Sequence, residues 1–145
     1  MNVDVIINPA AGREEAVLFK MNAFFQKNNI SYHVSVTTRT DGAAAATRRA
    51  LSKNVDAIIG YGGDGTLSEI GNVLRGSDMP LLIVPGGTSN TLAQELHIPL
   101  SIPKALSLLL PEYGKIDKVD MAKVNDGYFL TTLGVGIPAR WAQEA

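Results

Sequence analysis

An α/β fold, with a mostly parallel sheet between two layers of helices, is what three features of the sequence predict. Short apolar runs rich in β-branched residues recur at 3–7, 55–59 and 81–84, as fully buried strands require. Segments with helically spaced apolar residues separate them, and strand alternating with helix makes a sheet parallel. Glycine-rich turns follow two of these runs directly, at Gly60-Tyr61-Gly62-Gly63-Asp64-Gly65 and Pro85-Gly86-Gly87.

Composition agrees with one globular domain. The chain has 145 residues, 46% of them hydrophobic and 19% charged, enough apolar matter to bury a core. A formal charge of −1 leaves no electrostatic footprint for nucleic acid. There is no cysteine, which excludes disulfides and thiolate metal sites and fits a reducing compartment. The first residues lack the basic and long apolar regions of a signal peptide, and no apolar run reaches the length of a membrane span. A cytoplasmic domain is the expectation.

In chain order, residues 3–7 read as the first strand, ended by Asn8-Pro9-Ala10-Ala11-Gly12, since Pro9 cannot continue a central strand. A helix follows over 14–27, with Val17, Met21, Phe24 and Phe25 on one face. Residues 31–37 alternate, Tyr32, Val34 and Val36 against His33 and Ser35, as a second strand does. After a turn at 38–42, the alanine-rich segment 43–51 is a strong helix former. The strand at 55–59 enters the glycine turn, and Leu67, Ile70 and Leu74 mark one face of the next helix. The strand at 81–84 leads to Pro85-Gly86-Gly87-Thr88-Ser89-Asn90 and a helix carrying Leu92, Ala93 and Leu96. Ile102, Ala105, Leu106 and Leu109 define another helix, with Pro103 near its start and Pro111 beyond it. Segments 115–124 and 128–133 read as a hairpin turned at Asn125-Asp126-Gly127. A third glycine turn is expected over 134–142, and so abrupt a stop marks the chain as one domain of something longer or as a truncated product.

Ligands of open parallel sheets bind outside the carboxyl ends of the strands. Here Asn8 to Gly12, Thr37, Gly62 to Thr66 and Gly86 to Asn90 all fall on that rim. Strand, glycine turn and helix start together offer backbone N–H groups and a helix dipole to phosphate. Thr66, Thr88 and Ser89 add hydroxyls, and Asn8 and Asn90 add amides that orient a ribose, a base or a loop. The spacing is not that of a P-loop, and Asp64 interrupts the dinucleotide fingerprint. A carboxylate beside phosphate needs a metal ion or hydroxyl between them. The motifs contain no lysine or arginine, so Arg13, Lys20, Arg39 or a divalent cation must supply positive charge.

Taken together, Asn8-Pro9-Ala10-Ala11-Gly12, Gly62-Gly63-Asp64-Gly65-Thr66-Leu67-Ser68-Glu69 and Pro85-Gly86-Gly87-Thr88-Ser89-Asn90 resemble the diacylglycerol kinase catalytic-domain family, which includes bacterial lipid kinases and sphingosine and ceramide kinases. The resemblance covers essentially the whole chain. It implies a Rossmann-like three-layer N-terminal domain over 1–145, followed in such proteins by a β-rich domain, with ATP and a lipid acceptor in the cleft between them. It places Asn8, Pro9, Ala10, Ala11, Gly12, Thr37, Gly63, Asp64, Gly65, Thr66, Leu67, Ser68, Glu69 and Thr88 in the ATP site. Asp64 is the catalytic candidate, reaching Mg2+ through water. The general base and most metal ligands would lie in the β-rich domain, so the 145 residues alone should be inactive. Peripheral contact with the inner membrane face and a homodimer are further expectations. The Gly-Gly-Asp-Gly-Thr core is shared with NAD kinases, so a kinase of a soluble acceptor is one rival, and a non-catalytic nucleotide-binding domain is another. The family's Gly-x-Asp-Ala near the end is replaced by Gly136-Ile137-Pro138-Ala139, and an Asn of the last strand by Thr131-Thr132.

Other polar residues read more plainly. His33 and His97 are surface or helix-end histidines without a second ligand nearby. Asp117 and Asp120 fall on opposite faces of an expected strand, Arg48 and Arg49 on a solvated helix face, and Glu69 in the first turn of its helix, where it complements the dipole or contacts ligand.

Overall fold

The computed structural model describes residues 1–11 and 16–131. Strands β1 (Asn2–Ile7), β2 (Ser31–Val36), β3 (Ala57–Gly62) and β4 (Leu81–Pro85) form one parallel sheet in the order β2-β1-β3-β4. Helices α1 (Val17–Lys27) and α5 (Ile102–Ser107) cover one face, and α2 (Ala43–Leu51) and α3 (Asp64–Leu74) the other. The short α4 (Thr91–Glu95) follows β4. This is the three-layer α/β arrangement expected.

Alternation along each strand sorts the core. Val3, Val5 and Ile7 of β1 join Ile59 and Tyr61 of β3 against Met21, Phe25 and Leu106. Ile6 and Ile58 point the other way, onto Ala43, Ala46, Ala50 and Ile70. The buried alanines are small enough to let α2 sit close to the sheet. Asp4, 0% exposed, shares that second face. Its carboxylate meets the Lys53 ammonium and accepts from the Ser35 hydroxyl at 3.2 Å, which offsets the cost of burying a charge.

Several expectations change in detail. β3 continues through Gly60, Tyr61 and Gly62, which were expected to turn. It is a central strand, paired with β1 up to Ile7↔Tyr61 and with β4 up to Gly62↔Pro85. Its glycines do not serve positive φ: among the described glycines only Gly76 has it. They make room for α3. A Cβ at Gly60 would lie 2.8 Å from Ile70 Cδ1, and one at Gly62 would lie 2.6 Å from Thr66 Cβ. α5 stops at Ser107, after which single-turn bonds carry the chain to Gly114. The hairpin is limited to β5 (Ala122–Val124) and β6 (Gly127–Phe129), so Asp117 and Asp120 lie outside it. Gly12, the first residues of the expected first helix, and the third glycine turn lie outside the described residues.

Candidate functional site

All four strands of the sheet end on one rim, and the chain moves outward in opposite directions from β1 and β3, so the crevice for a ligand opens between them. Asn8 closes its floor. Its backbone N–H donates to Tyr61 O at 3.0 Å and its Nδ2 to Thr66 Oγ1 at 2.8 Å. Its Oδ1 accepts from Ala10 N–H at 3.0 Å, which folds the loop of Pro9, Ala10 and Ala11 back over the strand end. Thr37 is nearly buried and continues the β2 ladder onto Ile7 O at 2.8 Å.

The two glycine turns touch backbone to backbone. A Cβ on Gly87 would stand 2.6 Å from Gly63 Cα, and one on Gly86 would stand 2.7 Å from the Tyr61 ring. Asn90, buried and at φ 49°, clamps the second turn by accepting from Gly87 N–H at 2.8 Å and donating to Gly87 O at 2.7 Å. Thr88 and Ser89 are thereby held at the exposed tip. Gly65 differs from the other rim glycines: a Cβ there would meet nothing within 4 Å. Its side faces open space.

The acidic residues of α3 act on neighbouring helices. Asp64 accepts the N–H of Thr91 on one oxygen and that of Leu92 on the other, both at 3.0 Å, capping α4. Of the two roles open to it, metal-facing or loop-ordering, this geometry displays the second. Glu69 stands in the second turn of α3, not the first. Its Oε2 accepts from Ala44 N–H at 3.2 Å, at the start of α2, so the dipole it complements is that of α2. Leu67 is fully buried and Thr66 nearly so, while Ser68 is half-buried beside the open space.

That space is a groove of about 680 Å³ between α2 and α3, lined by Ala44, Arg48, Gly65, Ser68, Glu69 and Asn72 among others. It continues the rim from Gly65 and brings a cation, Arg48, toward it. Arg48 and Asn72 were not among the expected site residues. The signal was the i, i+4 spacing of Ala44 with Arg48 and of Ser68 with Asn72, which puts each pair on one helix face. Arg49, by contrast, turns away and holds Asp41 through two bonds of 2.8 and 2.7 Å. Those bonds lower the Asp41 carboxyl below its ordinary range and raise the Arg49 guanidinium. His33 and His97 are exposed, and among the described residues no three His, Asp or Glu gather as metal ligands. No helix among the described residues is long and apolar enough to cross a membrane.

A parallel sheet whose rim carries two interlocked glycine turns and a helix start defines an open α/β domain with its glycine turns gathered at one rim. Comparison with known proteins refines this. The family model "Diacylglycerol kinase catalytic domain" matches residues 2–124. A diacylglycerol kinase of Staphylococcus aureus (strain bovine RF122 / ET3-1) is 33% identical over 136 residues, covering 91% of this chain and 42% of that protein. One from strain JH9 is 34% identical over 139 residues, with the same coverage. A crystal structure of a diacylglycerol kinase from Bacillus anthracis str. Sterne superposes with a TM-score of 0.70 at 34% identity, over 89% of this chain and 48% of that one. The chain belongs to the diacylglycerol kinase catalytic-domain family, and it spans less than half the length of these relatives.

Proposed function

We propose that the rim binds the polyphosphate of ATP and that the whole protein transfers the γ-phosphoryl group to a lipid hydroxyl, as a diacylglycerol-like kinase of phospholipid metabolism. The observation that carries this reading is the open side of Gly65. At a helix start on a switch-point crevice, it is, among the described rim glycines, the one with no protein neighbour for a Cβ to meet within 4 Å, and so leaves room for a ligand. In this reading the N–H groups at the start of α3 and the tip carrying Thr88 and Ser89 bind phosphate oxygens. Asn8, Pro9, Ala10, Ala11, Gly12 and Thr37 flank the nucleotide from the β1 and β2 side. Ser68 and Glu69 face its remainder in the groove, where Arg48 adds positive charge.

ATP brings a phosphoanhydride whose cleavage drives transfer; this chain's part is to hold and orient it. Mg2+ fits here as a companion of the phosphates, because both Asp64 oxygens already accept backbone N–H groups. Asp64 then serves catalysis by fixing the two turns. The base that takes the hydroxyl proton belongs, in this reading, to the additional length of the relatives, so the 145 residues alone would turn over no lipid. Contact with a membrane surface follows from the acceptor's chemistry.

Gly65→Leu tests the reading. Leucine is the better helix former and its Cβ meets no protein atom within 4 Å, so stability should hold or rise by up to about 1 kcal/mol. Binding of Mg-ATP, followed by calorimetry, should weaken at least about tenfold, or by roughly 1.4 kcal/mol. Unchanged ATP affinity in a folded variant would remove the groove and α3 start from the site. Tighter binding of NAD than of ATP would favour the soluble-acceptor rival.

A further inference from the structure

Tyr61 ties both rim loops to the sheet, although the nucleotide reading gives it no part. It is the penultimate residue of β3, 3% exposed, and its register partners are Ile7 on β1 and Val84 on β4. Strand alternation turns Gly60 and Gly62 toward α3 and Tyr61 toward the α1-side core. From there its ring reaches past the end of β4. A Cβ on Gly86 would stand 2.7 Å from the ring's Cζ and 2.9 and 3.0 Å from its two Cε atoms. The outer edge of the ring therefore occupies the place of a Gly86 side chain. Gly86 does not have positive φ, so this clearance, and not backbone conformation, is what calls for glycine. Through its carbonyl the same residue holds the other loop, accepting Asn8 N–H at 3.0 Å.

The second glycine turn needs both a shape and a position. Asn90 fixes the shape, since both of its bonds return to Gly87. Those bonds leave open how the turn stands relative to α3. Position comes from outside: Gly63 against Gly87, the Gly86 N–H bond to Gly62 O at 2.9 Å, and the Tyr61 ring against Gly86. Of these three the ring alone is a side chain. We propose that Tyr61 is a positioning residue for phosphate, its ring bracing Gly86 and so setting the separation between the Thr88–Ser89 tip and the start of α3. This rests on the reading of the rim as a polyphosphate site, where donors on the tip and on α3 must meet oxygens of one ligand together. A stiff ring with two torsions holds that spacing at little entropic cost. A shorter side chain leaves a space into which the turn can sink.

Two variants separate the ring's edge from the rest of the residue. Tyr61→Leu keeps the atoms as far as Cδ and removes the three that meet Gly86, whereas Tyr61→Phe keeps all three. In the leucine variant, amide hydrogen exchange should speed at least about tenfold at Gly86, whose acceptor lies on β3. It should change much less at Gly87, whose acceptor lies within the turn, and at Ile58, bonded to Pro80 O. The phenylalanine variant should keep Gly86 exchange within about threefold of the unmodified chain. Calorimetry should find Mg-ATP binding to the leucine variant weakened at least about tenfold. Gly86→Ala, which drives a methyl against a buried ring, should lose a similar amount. Combined with Tyr61→Leu it should recover to within about threefold of the unmodified chain, the methyl refilling what the ring vacated. Equal acceleration at Gly86, Gly87 and Ile58 would mark a general loss of core stability and overturn the proposal. Unchanged ATP affinity in the leucine variant, a phenylalanine variant as fast as it at Gly86, or additive losses in the double variant would do the same. Exchange needs no nucleotide, so failure of the brace shows there, while failure of the site shows in Gly65→Leu.

Discussion

Replacing Asp64 with Asn separates a carboxylate that orders the rim from one that acts directly on the reaction. In the structure each oxygen of Asp64 accepts one backbone N–H of α4, from Thr91 and Leu92, at 3.0 Å. Asparagine keeps the shape but offers one acceptor and turns an NH2 group against the other N–H. A hydrogen bond to a charged group contributes about 1.5–3 kcal/mol, and a neutral one about 1. One bond is lost and the other weakened. Because Asp64 is half-buried and α4 has only five residues, the lower end applies, for a net loss of about 2–3 kcal/mol. For a domain of this size that is about 6–10 °C in Tm. Thermal unfolding followed by circular dichroism reads the shift, and calorimetry reads the accompanying loss of ATP affinity. A variant as stable as the unmodified protein, yet inactive in the whole enzyme, would refute the capping argument and return Asp64 to the chemistry.

Three further outcomes follow from the geometry. Gly87→Ala forces a Cβ against Gly63 Cα, backbone that cannot yield locally, so it should cost about 1–3 kcal/mol and weaken ATP binding; denaturant unfolding and calorimetry check both. Lys53→Met leaves Asp4 buried without its cation. A loss of about 2–4 kcal/mol is expected in urea unfolding, below the full cost of breaking a buried pair because Lys53 reaches solvent. Arg49 holds the Asp41 carboxyl below 3.8, so the pair stabilises the fold above that pH, and the contribution fades as pH falls through the lowered folded value. In Arg49→Gln, an NMR titration should find Asp41 back near its ordinary value, with acid unfolding less steep below pH 3.8.

Much of this was legible in the sequence because period and punctuation survive folding. Val3 to Ile7 and the 81–84 run read as buried strands, and the turns after β1, β3 and β4 fell on one rim, because parallel connectivity leaves no other place for them. What could not be read was which neighbour each small or acidic residue answers to. Gly60 and Gly62 look like turn residues in one dimension, and only the position of α3 across β3 shows them as clearance. Asp64 and Glu69 look like groups serving a ligand or their own helix, but the α4 and α2 termini they cap lie 27 and 25 residues away. Arg48 joined the groove for the same reason: its partner face belongs to another helix.

One end of α3 carries the rim, and the other end carries the β5–β6 hairpin. There Leu130 fills the space left by Gly71, Asn72 donates to Tyr128 O at 3.2 Å, and the Arg75 guanidinium lies 3.9 Å from the Tyr128 ring centre. Seven helical residues, about 10 Å, separate Gly65 from Asn72. The helix therefore ties the hairpin to the rim through a single element. Rim and hairpin are thus two ends of one helix, held to the core by its buried Leu67, Ile70 and Leu74.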